Sequence, residues 1–161
     1  MSVEVKGFEP VYNRNSVLLI LGSFPSVKSR EIQFYYGNKQ NRFWRVLSSY
    51  FGENIPQSVE EKRQFLFDYR IALWDIVTQC EITGSKDDTI KNFKVADIKT
   101  LLQNSNIKYI ILNGSKAYSI FIEHYSDIEI PYKKLPSTSP ANTRFNEKEW
   151  NDAISSAFRD T

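Results

Sequence analysis

The run Val17–Leu21 reads Val-Leu-Leu-Ile-Leu, closed off by Asn15-Ser16 on one side and Gly22 on the other. Five apolar residues without a polar interruption predict a strand buried on both faces, since a strand with one face in water would alternate. Ile71–Val77 reads as a second strand, Tyr109–Leu112 as a third and Tyr132–Leu135 as a fourth. A sheet of doubly buried strands needs helices on both sides, and parallel neighbours need crossovers between them.

The intervening stretches supply those helices. From Asn41 to Tyr50 and just beyond, Phe43, Trp44, Leu47 and Phe51 recur at helical spacing, and Gly52 makes a stop. Ser58 with Glu61 three residues on is a capping box that opens a helix running to about Asp68, and Asn146 with Glu149 opens a final one ending near Phe158. Val95–Gln103 is expected as a short helix, and Ser115–Tyr125 as a longer one with Ala117, Ile120 and Phe121 on its apolar side. Glu81–Phe93 is polar, with Gly84-Ser85 and Asp87-Asp88, and is expected as a long loop with a helical turn. The expected fold is α/β, a three-layer α/β/α arrangement around a central four-stranded parallel sheet.

With 161 residues, 41% of them apolar, the chain can bury a full core within one domain spanning residues 1–161. Aromatic residues make up 14%, enough to furnish a stacking surface as well as a core. A formal net charge of +2 argues against phosphate neutralisation along the whole chain and leaves room for a local basic face. Cys80 is the only cysteine, which excludes an internal disulfide and a cysteine-held metal or iron–sulfur site. No apolar segment approaches the ~18 residues of a membrane span, so a cytoplasmic protein with no membrane partner is expected.

Open sheets of this kind bind ligands beyond the carboxyl ends of their strands. Here those ends carry Gly22-Ser23-Phe24-Pro25, Asp75, Asn113-Gly114 and the segment Pro136 to Asn142. Between the first strand and the first long helix lies Phe34-Tyr35-Tyr36-Gly37-Asn38-Lys39-Gln40-Asn41-Arg42-Phe43-Trp44, rich in rings and amides. A glycine turn, an aromatic shelf and convergent amides and hydroxyls suit a flat, hydrogen-bonding ligand such as a nucleobase.

On three stretches the chain resembles the uracil-DNA glycosylase superfamily. They are Gly22-Ser23-Phe24-Pro25-Ser26, the block from Tyr35-Tyr36-Gly37 through Gln40-Asn41-Arg42-Phe43-Trp44, and Leu135-Pro136-Ser137-Thr138-Ser139-Pro140-Ala141-Asn142. The likeness spans about residues 15 to 158 and is nearest to the hypoxanthine-DNA (deoxyinosine) glycosylase branch, with mismatch-specific uracil glycosylases more distant. It implies a three-layer sheet of four parallel strands and hydrolysis of the bond between a deaminated base and deoxyribose. The implied substrate is deoxyinosine in double- or single-stranded DNA, cut by a monomer that uses no metal or cofactor. Two alternatives stand beside it: a mismatch-specific uracil-DNA glycosylase, and a non-catalytic nucleic-acid-binding module of the same fold. Three positions depart from the superfamily's usual pattern: Phe24 where Asp or Asn precedes the proline, Asp75 where Asn reads the base, and Ser137 where His or Asn opens the last motif.

Each candidate residue has a structural reading beside the functional one. Asn41 either holds the attacking water through its amide or caps the helix that follows it. Asn113, before a glycine, either turns the chain or meets the base and the water; these two amides are the catalytic candidates. Tyr36 matches the stacking ring, an interaction contributing on the order of 1–3 kcal/mol. Gly22, Ser23, Phe24, Asp75 and Ser137 are the other base-binding candidates, Asp75 as an acceptor from a base N–H or as a loop cap. Ser139, Asn142, Arg144, Arg42 and Lys134 are candidate DNA contacts, although each cation alone reads equally as a solvated surface charge. Ala141 occupies the wedge position of some relatives and is too small to fill a vacated base stack.

Overall fold

Leu18 and Ile20 of the first apolar run pack into one hydrophobic cluster, while Leu19 and Leu21 pack into another on the opposite side. This alternation is what double burial requires, because successive strand side chains point to opposite faces. In the computed structural model, which describes residues 3–159, the elements in chain order are β1 (Val3–Lys6), β2 (Leu18–Gly22), α1 (Val27–Ile32), α2 (Phe43–Phe51), α3 (Val59–Asp68), β3 (Ile71–Asp75), β4 (Val77–Ile82), β5 (Lys91–Val95), α4 (Ile98–Gln103), β6 (Tyr109–Asn113), α5 (Ser115–Tyr125), β7 (Tyr132–Leu135) and α6 (Glu147–Phe158). A 3-10 turn, Asp87–Thr89, sits between β4 and β5.

The central sheet runs β3-β2-β6-β7 with every neighbouring pair parallel. Phe43, Trp44 and Leu47 of α2, Phe65 and Leu66 of α3 and Trp150 of α6 cover one face. The other face is covered by Ile98 and Leu101 of α4, Ala117, Ile120 and Phe121 of α5, and the apolar side of β4. The expected α/β fold with its four parallel strands is therefore present, with helices on both sides. Chain order reverses direction at β2, so the crevice between the ends of β2 and β6 is the switch point where α/β sheets bind ligands.

Local signals place several boundaries. Ser58 Oγ accepts from the Glu61 amide at 3.0 Å and Asn146 Oδ1 from the Glu149 amide at 3.2 Å, as the capping patterns predict. α2 stops at Gly52, whose φ of +69° lies in the left-handed region that glycine enters freely.

Three expectations need correction. The run Ile71–Val77 is two strands, not one: β3 ends at Asp75, and Val77 already belongs to β4 in a separate antiparallel sheet ordered β1-β4-β5. The Ile76 and Val77 amides still donate to the Gly22 and Ser23 carbonyls, at 2.8 and 3.1 Å, while the chain turns out of the central sheet. Glu81–Phe93 is a loop with its helical turn, Asp87–Thr89, only from residue 83 to 90; its ends belong to β4 and β5, a hairpin whose register shifts at two places and blurs the alternation that marks a strand. The short helix begins at Ile98, where Asp97 caps it by accepting from the Thr100 amide at 3.2 Å; Val95 is the last residue of β5.

Candidate active site

A cleft of about 760 Å³ opens at the carboxyl edge of the central sheet. Gly22, Ser23, Phe24, Tyr36, Asn41, Asp75, Asn113, Ser137, Ser139 and Asn142 all line it, although they come from five separate stretches of chain. In-register pairing explains the convergence: Gly22 sits opposite Asp75, Leu21 opposite Leu112 and Asn113 opposite Leu135, so all four strands end on one level.

Gly22 is required by crowding. A Cβ there would lie 2.5 Å from Asp75 Oδ1 and 2.9 Å from the Tyr36 hydroxyl, well inside van der Waals contact. Tyr36 itself stands at φ +53°, a left-handed conformation uncommon for an aromatic residue. Its surroundings hold it there. The Gly37 amide donates to Ser29 Oγ at 2.9 Å, Trp44 Nε1 donates to the Tyr35 carbonyl at 3.2 Å, and the Tyr35 hydroxyl donates to the Glu9 carbonyl at 2.7 Å. The Tyr36 ring stacks on Phe43 with centroids 3.9 Å apart and planes 17° from parallel.

Asn113 is committed to the frame of the site. Its Nδ2 donates to the Tyr36 hydroxyl at 3.2 Å and to Thr138 Oγ1 at 3.0 Å, and its Oδ1 accepts from the Thr138 amide at 3.0 Å. Both amide hydrogens are thereby used, leaving one acceptor lone pair. Thr138, 1% exposed, is the counterpart that sequence reasoning missed; nothing distinguishes it from its serine neighbours until the fold buries it.

Asn41 divides its amide. Its Oδ1 accepts from the Phe43 amide at 2.9 Å, tying down the first residue of α2 from one position outside the N-cap, Arg42, while Nδ2 has no hydrogen-bond partner among the described residues. Asn41 is thus not the N-cap the sequence suggests: its oxygen steadies the start of α2 and its nitrogen is left at the cleft. Phe24 lines the cleft with its ring mostly packed in the core beneath.

The electrostatics centre on two carboxyls. Asp75 is 5% exposed, and its Oδ2 has no hydrogen-bond partner. Burial, with Asp87 adding its charge, pushes its pKa up to about 8, so the carboxyl is largely protonated at neutral pH. The Tyr36 hydroxyl is likewise held neutral by burial and by Asp75. Asp87, expected in a polar loop with a helical turn, begins that turn and is carried into the cleft by the β4–β5 hairpin. Ser23 Oγ donates to its Oδ1 at 2.8 Å; Ser85 Oγ accepts from the Val27 amide at 2.8 Å, and Arg30 donates to the Gly84 carbonyl, pinning the hairpin to the turn after β2. Burial raises the Asp87 pKa, opposed by the Ser23 hydrogen bond and by Lys116.

The loop after β7 is rigidly tied. Ser137 Oγ accepts from the Ser139 amide at 3.1 Å, Ser139 Oγ from the Ala141 amide at 3.2 Å, and Asn142 Nδ2 donates to the Ser137 carbonyl at 2.9 Å. Arg42 braces this loop rather than pointing free: its guanidinium donates to the Ser139 carbonyl at 3.0 Å and lies over the Phe145 ring. Lys134 and Arg144 line a neighbouring groove with Ser115, Ser137, Asn142 and Glu149. Among the described residues no cluster of three His, Cys, Asp or Glu is placed to hold a metal ion, and no helix is long and apolar enough to cross a membrane.

A parallel four-stranded sheet with this cleft at its carboxyl edge, and a family model of the uracil DNA glycosylase superfamily that matches residues 9–159, define the class: the chain belongs to that superfamily. It is 37% identical over 152 residues to a protein of Methanosarcina acetivorans named hypoxanthine DNA glycosylase, covering 90% of this chain and 94% of that one. A protein of the same name from Methanosarcina barkeri is 35% identical over 114 residues, 70% of this chain and 72% of its own. The solution NMR structure of a candidate uracil DNA glycosylase from Methanosarcina acetivorans superposes with a TM-score of 0.85 at 34% identity, covering 96% of this chain and 99% of that one.

Proposed function

We propose that this protein is a monofunctional DNA glycosylase that hydrolyses the N-glycosidic bond of deoxyinosine in DNA and releases hypoxanthine, acting as a single-domain monomer without a cofactor. The observation that carries the reading is the combination of the cleft with the similarity, over nine-tenths of the chain, to a relative named for hypoxanthine. A base inside a duplex is out of reach of such a cleft, so the target nucleotide is extruded first, at a cost of roughly a few kcal/mol.

In the cleft the extruded base lies against Tyr36, whose other face is supported by Phe43. Asn41 positions the attacking water with Nδ2, the part of its amide that the bond from the Phe43 amide leaves unused. Asn113 holds Tyr36 and Thr138 in place and offers its remaining lone pair to the base. The Ser137 and Ser139 hydroxyls, whose oxygens accept within the loop, donate to the base and to the adjacent phosphate, while the Ser23 hydroxyl, committed to Asp87, shapes the wall beside the base. Asn142 acts by shaping that segment, while Lys134 and Arg144 meet the DNA backbone from the groove beside it.

Duplexes carrying inosine, uracil or xanthine, incubated with the protein and then treated with alkali, test the reading directly. Strand cleavage at inosine, faster than at uracil under the same conditions, is the expected result. Uracil turnover equal to or above inosine turnover would move the chain to the mismatch-specific uracil class, and no cleavage of any duplex would leave a binding module.

A further inference from the structure

Asp75 is a buried carboxyl in a cleft, with one oxygen lacking any partner, at the end of a strand whose neighbour gives up its Cβ to make room for it. A polar group left in this state is destabilising unless a ligand supplies the missing partner. The groups facing it are the Tyr36 and Tyr35 hydroxyls and the Asp87 carboxylate; Lys116 and Asp88 act on it only through Asp87. No cation in that set balances a carboxylate at this position, and Asp87 opposes one.

We propose that Asp75 is the proton donor to the departing base, delivering the hydrogen on its unpartnered carboxyl to a purine ring nitrogen that is not bonded to the sugar. This rests on the hypoxanthine reading and adds a catalytic role to it. The C1′–N9 bond breaks with its electron pair passing into the purine, and the Asp75 proton neutralises the charge that would otherwise accumulate there. The water oxygen bonds to C1′, and the proton shed by the water returns to the Asp75 carboxylate. One water is consumed, the base leaves neutral, and Asp75 is restored. The two carboxyls divide the work by environment, Asp75 kept as the acid and Asp87 keeping it so. A raised pKa near neutrality is what such a donor needs.

The test is single-turnover release of hypoxanthine from an inosine duplex between pH 6 and pH 9.5 by the parent protein, Asp75→Asn and Asp87→Asn, with binding to an uncleavable 2′-fluoro-deoxyinosine duplex measured alongside. The parent rate should fall on the alkaline side with a midpoint near 8. Asp75→Asn should be slower by about 100-fold or more while binding within a few-fold of the parent, the scale of a lost general acid. Asp87→Asn should move the alkaline midpoint to lower pH. The N1–H of inosine also ionises in alkali, but it does so identically for every variant and cannot produce that movement. An Asp75→Asn rate within fivefold of the parent overturns the proposal, as does a loss of rate matched by an equal loss of binding. An unmoved midpoint in Asp87→Asn overturns it even if Asp75→Asn fails to fold. A parent protein that binds inosine DNA and releases no hypoxanthine at any pH instead removes the substrate reading on which the proposal stands.

Discussion

Asn113 and Thr138, at the ends of adjacent parallel strands, exchange two hydrogen bonds of 3.0 Å each, side-chain amide to hydroxyl and backbone amide to side-chain carbonyl. The pair locks the loop after β7 to the end of β6, and through Tyr36 to the aromatic shelf. Thr138→Val keeps the shape and removes the acceptor, leaving a buried N–H unpaired. Thermal or denaturant unfolding should show a loss of about 1–3 kcal/mol. Single-turnover release should slow as well, because Tyr36 loses part of its anchor.

Gly22→Ala places a methyl 2.5 Å from Asp75 Oδ1 and 2.9 Å from the Tyr36 hydroxyl, so these side chains must shift to admit it. Overpacking of this kind costs typically ~1–3 kcal/mol. Base release should fall by tenfold or more, and the comparison of melting temperature with rate shows whether the damage reaches the site.

Asn41→Ala and Asn41→Asp separate the two halves of one amide. Alanine removes together the hydrogen bond to the first amide of α2, at a cost near ~1 kcal/mol, and the free Nδ2. Aspartate retains the acceptor, replaces the donor with a second oxygen and adds a negative charge beside the leaving base. Both should show a rate loss well beyond tenfold, while only alanine melts earlier. A parent-like rate in Asn41→Asp would restrict the residue to holding the start of α2.

Stability should depend on pH through Asp75. Its pKa rises from an ordinary 3.8 to about 8 on folding, so the folded chain holds a proton there that the unfolded chain releases. Its contribution to stability is therefore fully present below about pH 4, declines as pH rises, and levels off above about pH 8. Asp75→Asn removes this dependence, so its melting temperature relative to the parent should climb across that window.

Lys134→Ala with Arg144→Ala should weaken DNA binding equally for inosine-containing and undamaged duplexes. The logarithmic salt dependence of binding should become shallower by about 1–2, one for each phosphate no longer neutralised. Arg42→Ala should act otherwise, lowering stability through the Ser139 carbonyl and Phe145 with little change in salt slope.

The parallel sheet was legible because its evidence is local. Val17–Leu21 can be covered on both sides in few ways, and Ser58 and Asn146 cap through residues only three positions away. The antiparallel sheet was hidden for the converse reason. β4 and β5 are short, bulged and partly solvated, and their pairing with each other and with β1 depends on partners that no periodicity announces.

The strand ends named the cleft, since Gly22, Asp75, Asn113 and Ser137 must gather once four strands run parallel in register. What each side chain does there was decided by burial and distant partners. Asn113 is engaged by Thr138 from another strand end, and Asp87 reaches Ser23 across 64 residues of sequence. Asp75 reads in the sequence as a charged acceptor; in the fold, desolvation beside a second carboxyl raises its pKa to about 8. Residue type and order determine which groups meet the edge of a sheet. The protonation and hydrogen-bond state of those groups depend on solvent exclusion and long-range neighbours, which exist only once the chain has closed.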